Sequence, residues 1–408
     1  MITETDVIIV GGGAAGFFTA INLAENNPTL KIVILERSSE VLTKVRVSGG
    51  GRCNVTHAEF IPKELTQNYP RGEKELLGPF HTFMTGDTME WFEKRGVGLK
   101  IEEDGRMFPE SNSSQTIIDC FLNEAARLGV SVLKTHSVKE IKKDKDLWLV
   151  KTSNGDFSTS KLVIATGSNS KIWNLLEHLN HTIIPPVPSL FTFNIKDGRI
   201  NGLPGISTNA SVSVLSKSNK VTLASEGPLL ITHWGLSGPA VLKLSAWGAL
   251  ELSKLNYQFK IKVNWLFDET VESAFEKLKE LRTENSKQTV LKYTQLEVPK
   301  RLWQSLGVIS GIEENQKWAE TTNKQLQELA NQLSQSIFHV QGKSTFKEEF
   351  VTAGGVDLKE INFKRYESKL HKNLFFAGEV LNIDAITGGF NFQNAWTGGY
   401  IVAKSIAE

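Results

Sequence analysis

Cysteine is nearly absent: Cys53 and Cys120 are the only two in 408 residues. Two thiols cannot build a disulfide scaffold, and no C-x-x-C pair is present to act as a redox dithiol. An excess of charge of one sign is also missing. With 46 basic and 45 acidic side chains the formal net charge is +1. No bulk electrostatic pull toward nucleic acid or anionic lipid exists, so neither partner is expected. No apolar run approaches the ~18–20 residues that span a bilayer. The chain enters a strand-like pattern at once, leaving no room for a signal peptide, and a cytoplasmic location is expected. His57, His81, His178, His181, His339 and His371 show no ligand spacing, so no metal is expected. There is no internal repeat and no low-complexity tract.

What is present begins at residue 6. Residues 6–36 read DVIIVGGGAAGFFTAINLAENNPTLKIVILE. An apolar run to Val10 ends in Gly11-Gly12-Gly13-Ala14-Ala15-Gly16, a helical pattern follows from Ala14 to about Glu25, and a second apolar run, Ile32 to Leu35, ends in Glu36. Strand, glycine turn, helix, strand and acid in this order form the dinucleotide-binding fingerprint. Gly11 makes the tight turn. Gly13 lets backbone approach a pyrophosphate. Gly16 permits close helix–strand packing. The helix N-terminus offers free N–H groups to phosphates. Glu36 stands where a carboxylate can accept from adenosine ribose hydroxyls.

The other end of the chain chooses between NAD and FAD. Residues 374–407 carry a strand, Leu374 to Ala377, followed by Gly378-Glu379, then Gly388-Gly389 opening a helix near Asn391. An NAD dehydrogenase has no use for a second nucleotide-contacting element there, whereas flavoproteins of the two-dinucleotide-domain type do. The positive end of that helix dipole suits charge on a reduced flavin. A third element is the buried run Leu162 to Ile164 with Ala165-Thr166-Gly167. One FAD site would unite the three segments. No second strand–GxGxxG–helix unit lies between Thr166 and Lys372, so NAD(P)H is expected only as a transient electron donor. No residue announces covalent attachment, and noncovalent FAD is expected.

A fourth segment, residues 44–56, reads KVRVSGGGRCNVT. Together with Thr232-His233-Trp234-Gly235-Leu236-Ser237-Gly238-Pro239, Thr352-Ala353-Gly354-Gly355-Val356 and the C-terminal run, it resembles the bacterial FAD-dependent flavoproteins of the aminoacetone oxidase family, also called BaiN-like. The resemblance covers essentially the whole chain. Asn382 stands where that family's pattern has Asp, so no acid role is carried there.

The implied fold class is α/β. A discontinuous Rossmann-like FAD-binding domain, 1–188 and 345–408, carries an insertion at 189–344. The insertion is β-rich over 189–265 and helical over 266–335. Pro185-Pro186-Val187-Pro188 breaks the strand–helix alternation and marks the boundary. Asp87 and Glu90 stand at capping-box spacing, and Ser113 or Ser114 caps a helix running to Leu128. Asn154-Gly155-Asp156 signals a hairpin, and Trp303 and Trp318 read as core anchors.

The cofactor-facing set expected from these segments is Gly11, Gly13, Ala14, Ala15, Gly16, Glu36, Arg37, Lys44, Ser48, Gly49, Gly50, Arg52, Cys53, Asn54, Val138, Ala165, Thr166, Gly167, Gly378, Glu379, Asp384, Gly388, Gly389, Phe390 and Asn391. Cys53 is either a thiol tuned by Arg52 or a small packing residue. Arg52 either contacts cofactor or substrate or forms a structural ion pair. Asp384 either meets the ribityl hydroxyls or lies in a solvated loop. His233 and Arg52 are the catalytic candidates. His233 would move a proton at the substrate, or else hold a joint of the insertion. The expected activity is hydride transfer between a small organic substrate and flavin N5, by an NAD(P)H-dependent reductase or an amine oxidase. The alternatives are an FAD-binding or sensing protein without catalysis, and a flavin-dependent nucleic-acid-modifying enzyme. Substrate and oligomeric state are not encoded in these patterns.

Overall fold

A computed structural model describes residues 2–216, 218, 220–294, 296–345 and 351–408. The chain forms two compact units, Met1–Val187 with Val351–Glu408, and Pro188–Phe350. The expected resumption of the first domain at 345 abuts residues 346–350, which lie outside the described residues.

The first unit is built on a parallel sheet. Its strands run, side by side, Leu374–Phe376, Gly155–Ile164, Ile2–Val10, Ile32–Leu35 and Ser131–Leu133. The central strand Ile2–Val10 is flanked by Ile32–Leu35 on one side and Gly155–Ile164 on the other. The chain therefore reverses its direction of winding there, which is the switch point where open α/β sheets bind ligands. Val7, Ile8 and Ile9 are fully buried, as are Leu162, Val163 and Ile164. Such continuous apolar runs are what a strand covered on both faces requires.

The register aligns the strand ends. Val10 lies opposite both Leu35 and Ile164, and Ile164 opposite Phe376. All four strands thus end at one level. The helix Ala14–Asn26 follows the first strand and packs along the C-terminal helix Phe390–Ala407. They approach closely at Gly399, where a Cβ would lie 3.1 Å from the Ala15 carbonyl oxygen and 3.2 Å from the Thr19 nitrogen. Phe18, Trp91, Phe121 and Trp396 pack their rings together around this crossing.

The second unit holds a seven-stranded antiparallel sheet, which includes Ser207–Leu215, Val221–Ile231, Gln258–Asn264 and Ser336–Gln341. Three longer helices, Val271–Glu284, Lys300–Ile309 and Asn323–Ser334, contribute to its core with Trp303 and Trp318, both buried. Two further helices, Pro239–Trp247 and Ala249–Lys254, lie within the stretch expected to be β-rich.

Other local expectations shift. The three-proline run does hold the boundary between the units, at Val187/Pro188, but it is itself part of a strand, Ile183–Ser189, in a two-stranded sheet with Val351–Val356. Proline is tolerated there because such a pair leaves each strand an open edge. The helix expected to start near Asp87 starts at Thr85, and the Asp87 carboxylate accepts from the Met84 amide at 2.7 Å. Ser113 caps the helix Ser114–Arg127 as expected, accepting from the Gln115 amide.

Candidate functional site

The turns that leave the aligned strand ends crowd together. The Gly11 amide donates to the Leu35 carbonyl at 2.9 Å, the Ala165 amide to Val10 at 2.8 Å, and the Ala377 amide to Ile164 at 3.1 Å. Gly11 has φ +115°, and a Cβ there would lie 2.4 Å from the Ala165 carbonyl oxygen. The segments from the start, middle and end of the chain therefore meet in one unit.

The glycines of this turn differ in what surrounds them. A Cβ on Gly16 would collide with the Gly11 carbonyl oxygen, whereas one on Gly13 would meet nothing within 4 Å. Gly13 is the N-cap of the first helix and supplies no side-chain cap. Open space thus lies before amides that a helix leaves without intrahelical partners. Glu36 closes the other side. Its Oε2 accepts from the Gly12 amide at 2.9 Å and its Oε1 from the Ser38 amide at 2.8 Å. A carboxylate has about four acceptor sites, so two remain. Gly11, Glu36, Arg37, Val138, Thr166 and Lys171 line one crevice here.

The glycine loop follows a short helical turn that begins at Thr43. Gly49, Gly50 and Gly51 all have positive φ and are exposed, and a Cβ on Gly50 or Gly51 would meet nothing within 4 Å. Ser48, just before them, bonds the Val45 carbonyl. Lys44 forms an ion pair with Glu379, which ties this segment to the Gly378-Glu379 turn. Gly378 packs against Ala15, with a Cβ position 3.2 Å from the alanine methyl, and Gly167 faces Glu379.

Four proposed contacts are otherwise engaged. Cys53 is fully buried, and burial pushes its thiol up to about 12, against a smaller opposing effect of the Ser48 hydrogen bond. It is a protonated packing residue rather than a tuned thiolate. Arg52 donates to Glu102 Oε1 at 2.6 Å and lies 3.9 Å over the Phe108 ring. Asp384 is not in a solvated loop. It is wholly buried, and Arg71 grips its carboxylate through two nitrogens. Asn391 closes a local ring, accepting from the Ala385 amide and donating to the Ala385 carbonyl.

The C-terminal helix opens at Gly389, φ +94°, with no side-chain cap. A Cβ on Gly389 would lie 2.5 Å from the Thr56 carbonyl oxygen. With its amide oriented to satisfy its surroundings, Asn54 accepts from the Gly389 amide at 3.0 Å and donates to the Thr56 carbonyl. Phe390 stacks on His57 at 4.5 Å, and its carbonyl accepts from the Tyr69 hydroxyl at 2.6 Å. His57, Tyr69 and Arg71 are site neighbours the motifs did not point to. Their only signal was position, close after the glycine-rich segment. His233 belongs to the second unit, exposed in a turn where Thr232 Oγ1 accepts from the Trp234 and Gly235 amides at 3.2 Å.

Two uncapped helix N-termini, an open glycine loop and a carboxylate with spare acceptors suit a long, two-ended ligand bearing a diphosphate and a ribose. The donor set fits FAD. Fold and site define an FAD-dependent oxidoreductase of the Rossmann type.

The chain belongs to the family described as HI0933-like protein Rossmann domain, whose profile matches residues 5–405. It is 27% identical to a Haemophilus influenzae protein named ribosomal RNA dihydrouridine synthase, over the full length of both chains. It is 26% identical to the Clostridium scindens 3-dehydro-bile acid delta(4,6)-reductase, with 98% of each chain covered. Among solved structures it resembles the 3-ketosteroid-delta4-(5alpha)-dehydrogenase of Rhodococcus jostii RHA1, with a TM-score of 0.52 and 12% identity, covering 100% of this chain and 97% of that one. That likeness is one of fold. Among the described residues no helix is long and apolar enough to cross a membrane.

Proposed function

We propose that this chain reduces a carbon–carbon double bond conjugated to a carbonyl group. The observation that carries the reading is the meeting of the glycine turn, the Ala165-Thr166-Gly167 turn and the Gly378-Glu379 turn at the aligned strand ends. The bond type is suggested by two relatives whose named substrates differ greatly. A 3-dehydro-delta(4,6) steroid and a uracil ring share one feature, an alkene in conjugation with a carbonyl. FAD, when bound, supplies a hydride from N5 to the carbon β to that carbonyl. A proton must then reach the α-carbon, giving a net gain of two electrons and two protons.

The electron donor in this reading is NADH or NADPH, docking transiently, which suits a cytoplasmic location. His233 is proposed as the proton donor. It is exposed and therefore able to meet a substrate. Arg52 is proposed to anchor the carbonyl, provided it exchanges Glu102 for the substrate. The remaining cofactor contacts are proposed as in the crevice above, with Glu36 on the ribose and the Gly13 region on the diphosphate.

Anaerobic reduction of the FAD-loaded protein tests this. NADH or NADPH should bleach the ~450 nm flavin band. A 3-oxo-4,6-diene steroid or uridine-containing ribosomal RNA should then restore it, with a product heavier by two hydrogens. The two acceptors separate a small-molecule reductase from an RNA-modifying one. Bleaching by small amines with none by NAD(P)H would replace the reading with an amine oxidase. Bleaching by neither would leave FAD as a bound group without turnover.

A further inference from the structure

Residues 54–57 lie two residues beyond the glycine loop, and each of the four is bonded to the first two turns of the C-terminal helix or to the glycines before it. Asn54 accepts from the Gly389 amide at 3.0 Å. The Val55 carbonyl accepts from Trp396 Nε1 at 2.9 Å. Thr56 Oγ1 donates to Gln393 Oε1 at 2.6 Å. His57 Nδ1 lies 3.1 Å from the Gly388 carbonyl oxygen. A carbonyl only accepts, so Nδ1 carries the proton in this bond. The imidazole also stacks on Phe390, and a Cβ on Gly388 would lie 3.2 Å from Nδ1. Three of these four partners, Val55, Thr56 and Asn54, are buried, and His57 is half-buried.

Interior hydrogen bonds such as Trp396–Val55 and Thr56–Gln393 set where the helix lies. The bonds of Asn54 and His57 act on something finer, the two glycines that precede its first turn. Gly388 and Gly389 have φ of +135° and +94°, so their peptide planes point where few residues could hold them. Glycine resists such ordering because its unfolded freedom is large. A carbonyl fixed by His57 on one residue and an amide fixed by Asn54 on the next leave this turn one orientation.

We propose that His57, with Asn54, is a positioning residue for the reduction potential of the flavin, a proposal that rests on the FAD reading of the site. By holding the Gly388–Gly389 turn, the pair aims the free N–H groups of the first helical turn at the end of the flavin where reduction places negative charge. Fixed dipoles stabilise charge in proportion to how little they must reorganise when it arrives. Loosening the turn should therefore weaken the reduced cofactor more than the oxidised one.

The experiment uses the FAD-loaded full chain. Midpoint potentials are read against a reference dye with FAD saturating, and dissociation constants of oxidised FAD are read by titration. His57→Phe keeps the stack on Phe390 and removes the hydrogen bond. It should lower the affinity for reduced relative to oxidised FAD about tenfold, a shift of about 30 mV to more negative potential for a two-electron couple. His57→Asn places an amide N–H near the position of Nδ1 and should return to within threefold of wild type. Hydrogen exchange of the Phe390–Gln393 amides in the cofactor-free protein should quicken in His57→Phe and not in His57→Asn. Should His57→Phe not fold, His57→Gln, which displaces the donor by one bond, takes its place with the same expectations. Unchanged potential in the folded variant, with FAD bound, overturns the proposal. A wild type that binds no FAD overturns the cofactor reading itself, and the two failures are thereby distinct.

Discussion

Gly16 stands so close to Gly11 that a Cβ on Gly16 would lie 2.0 Å from the Gly11 carbonyl oxygen. The contact is between backbone atoms, and no rotamer change relieves it. Gly13, three residues earlier, faces open space and has an ordinary φ of −97°. The same motif thus holds one glycine that the protein itself requires and one that, in the proposed reading, is kept open for the ligand. Gly16→Ala should destabilise the cofactor-free fold by about 2–3 kcal/mol, since the chain must move apart. Gly13→Val should leave the cofactor-free melting temperature within about 2 °C, or about 0.5 kcal/mol, of wild type and abolish FAD retention. Thermal melts of stripped protein and FAD titration separate the two. Full FAD occupancy in Gly13→Val would place the phosphates elsewhere.

Asp384 is wholly buried, and Arg71, from a different part of the chain, neutralises it. Removing one partner of such a pair strands a charge in the interior. Arg71→Ala should cost about 3–5 kcal/mol, and the double variant Arg71→Ala/Asp384→Ala should recover a good part of it. Urea denaturation of the wild type, both single variants and the double variant reads these numbers. A double-variant loss equal to the summed losses of Arg71→Ala and Asp384→Ala alone would mean that the pair is not coupled.

His181 lies between Glu360, 2.8 Å from Nδ1, and Ser368, 3.0 Å from Nε2. The trio has the connectivity of a hydrolase triad but not its chemistry. Ser368 Oγ already accepts from the Leu370 and His371 amides and is buried. The arrangement is a structural clasp, and it responds to acid. Burial holds the His181 imidazole below its usual 6.5, although the Glu360 carboxylate opposes this. Burial pushes the Glu360 carboxyl up, but hydrogen bonds from Thr182 and His181 outweigh it and hold it below the usual 4.5. For both groups the unfolded chain takes up its proton first as pH falls. Stability should therefore decline from about pH 6.5 downward through His181, and again below about pH 4.5 through Glu360. Denaturant midpoints measured across that range should fall less steeply in His181→Gln between pH 6.5 and 5. An identical slope would assign the acid loss to other groups.

Much of the first unit was legible because its signals are local. The strand–turn–helix pattern of residues 6–36 lies in adjacent residues, and periodicity located the helix ending near Asn26. Ser113 announced its helix by capping chemistry within three residues. What escaped was non-local. Nothing near His57 in sequence tells that it will meet a carbonyl 331 residues away, nor that Arg71 will meet Asp384 across 313. The prolines at 185, 186 and 188 read as a breaker because their missing N–H groups were counted without knowing that the strand has only one paired side. Gly389 shows a subtler limit. Its motif placed it in the cofactor-facing set, yet the nearest obstacle to a Cβ is the Thr56 carbonyl of the protein itself. A bulky residue there would disturb the helix start before any cofactor was bound, so Gly389 variants cannot report on the flavin.

In the proposed reading, Glu36 offers the cleaner probe of the adenosine end. Its carboxylate already spends one acceptor on the Gly12 amide and one on the Ser38 amide, so it braces the glycine turn as well as facing the crevice. Hydrogen bonds to an ionised group are worth roughly 1.5–3 kcal/mol each. Glu36→Ala removes both braces together with any bond to a ribose hydroxyl, and FAD affinity should fall by about two orders of magnitude or more. Glu36→Gln keeps the acceptor oxygen and turns an N–H₂ group toward a backbone amide, so its loss should be intermediate. Neither change touches the segments that hold the Gly388–Gly389 turn. The midpoint potential at saturating FAD should therefore stay at the wild-type value in both, while His57→Phe moves it. Titration and redox potentiometry on the same three proteins decide the matter. A potential that shifts in Glu36→Ala would mean that the two ends of the cofactor are coupled through the glycine turn.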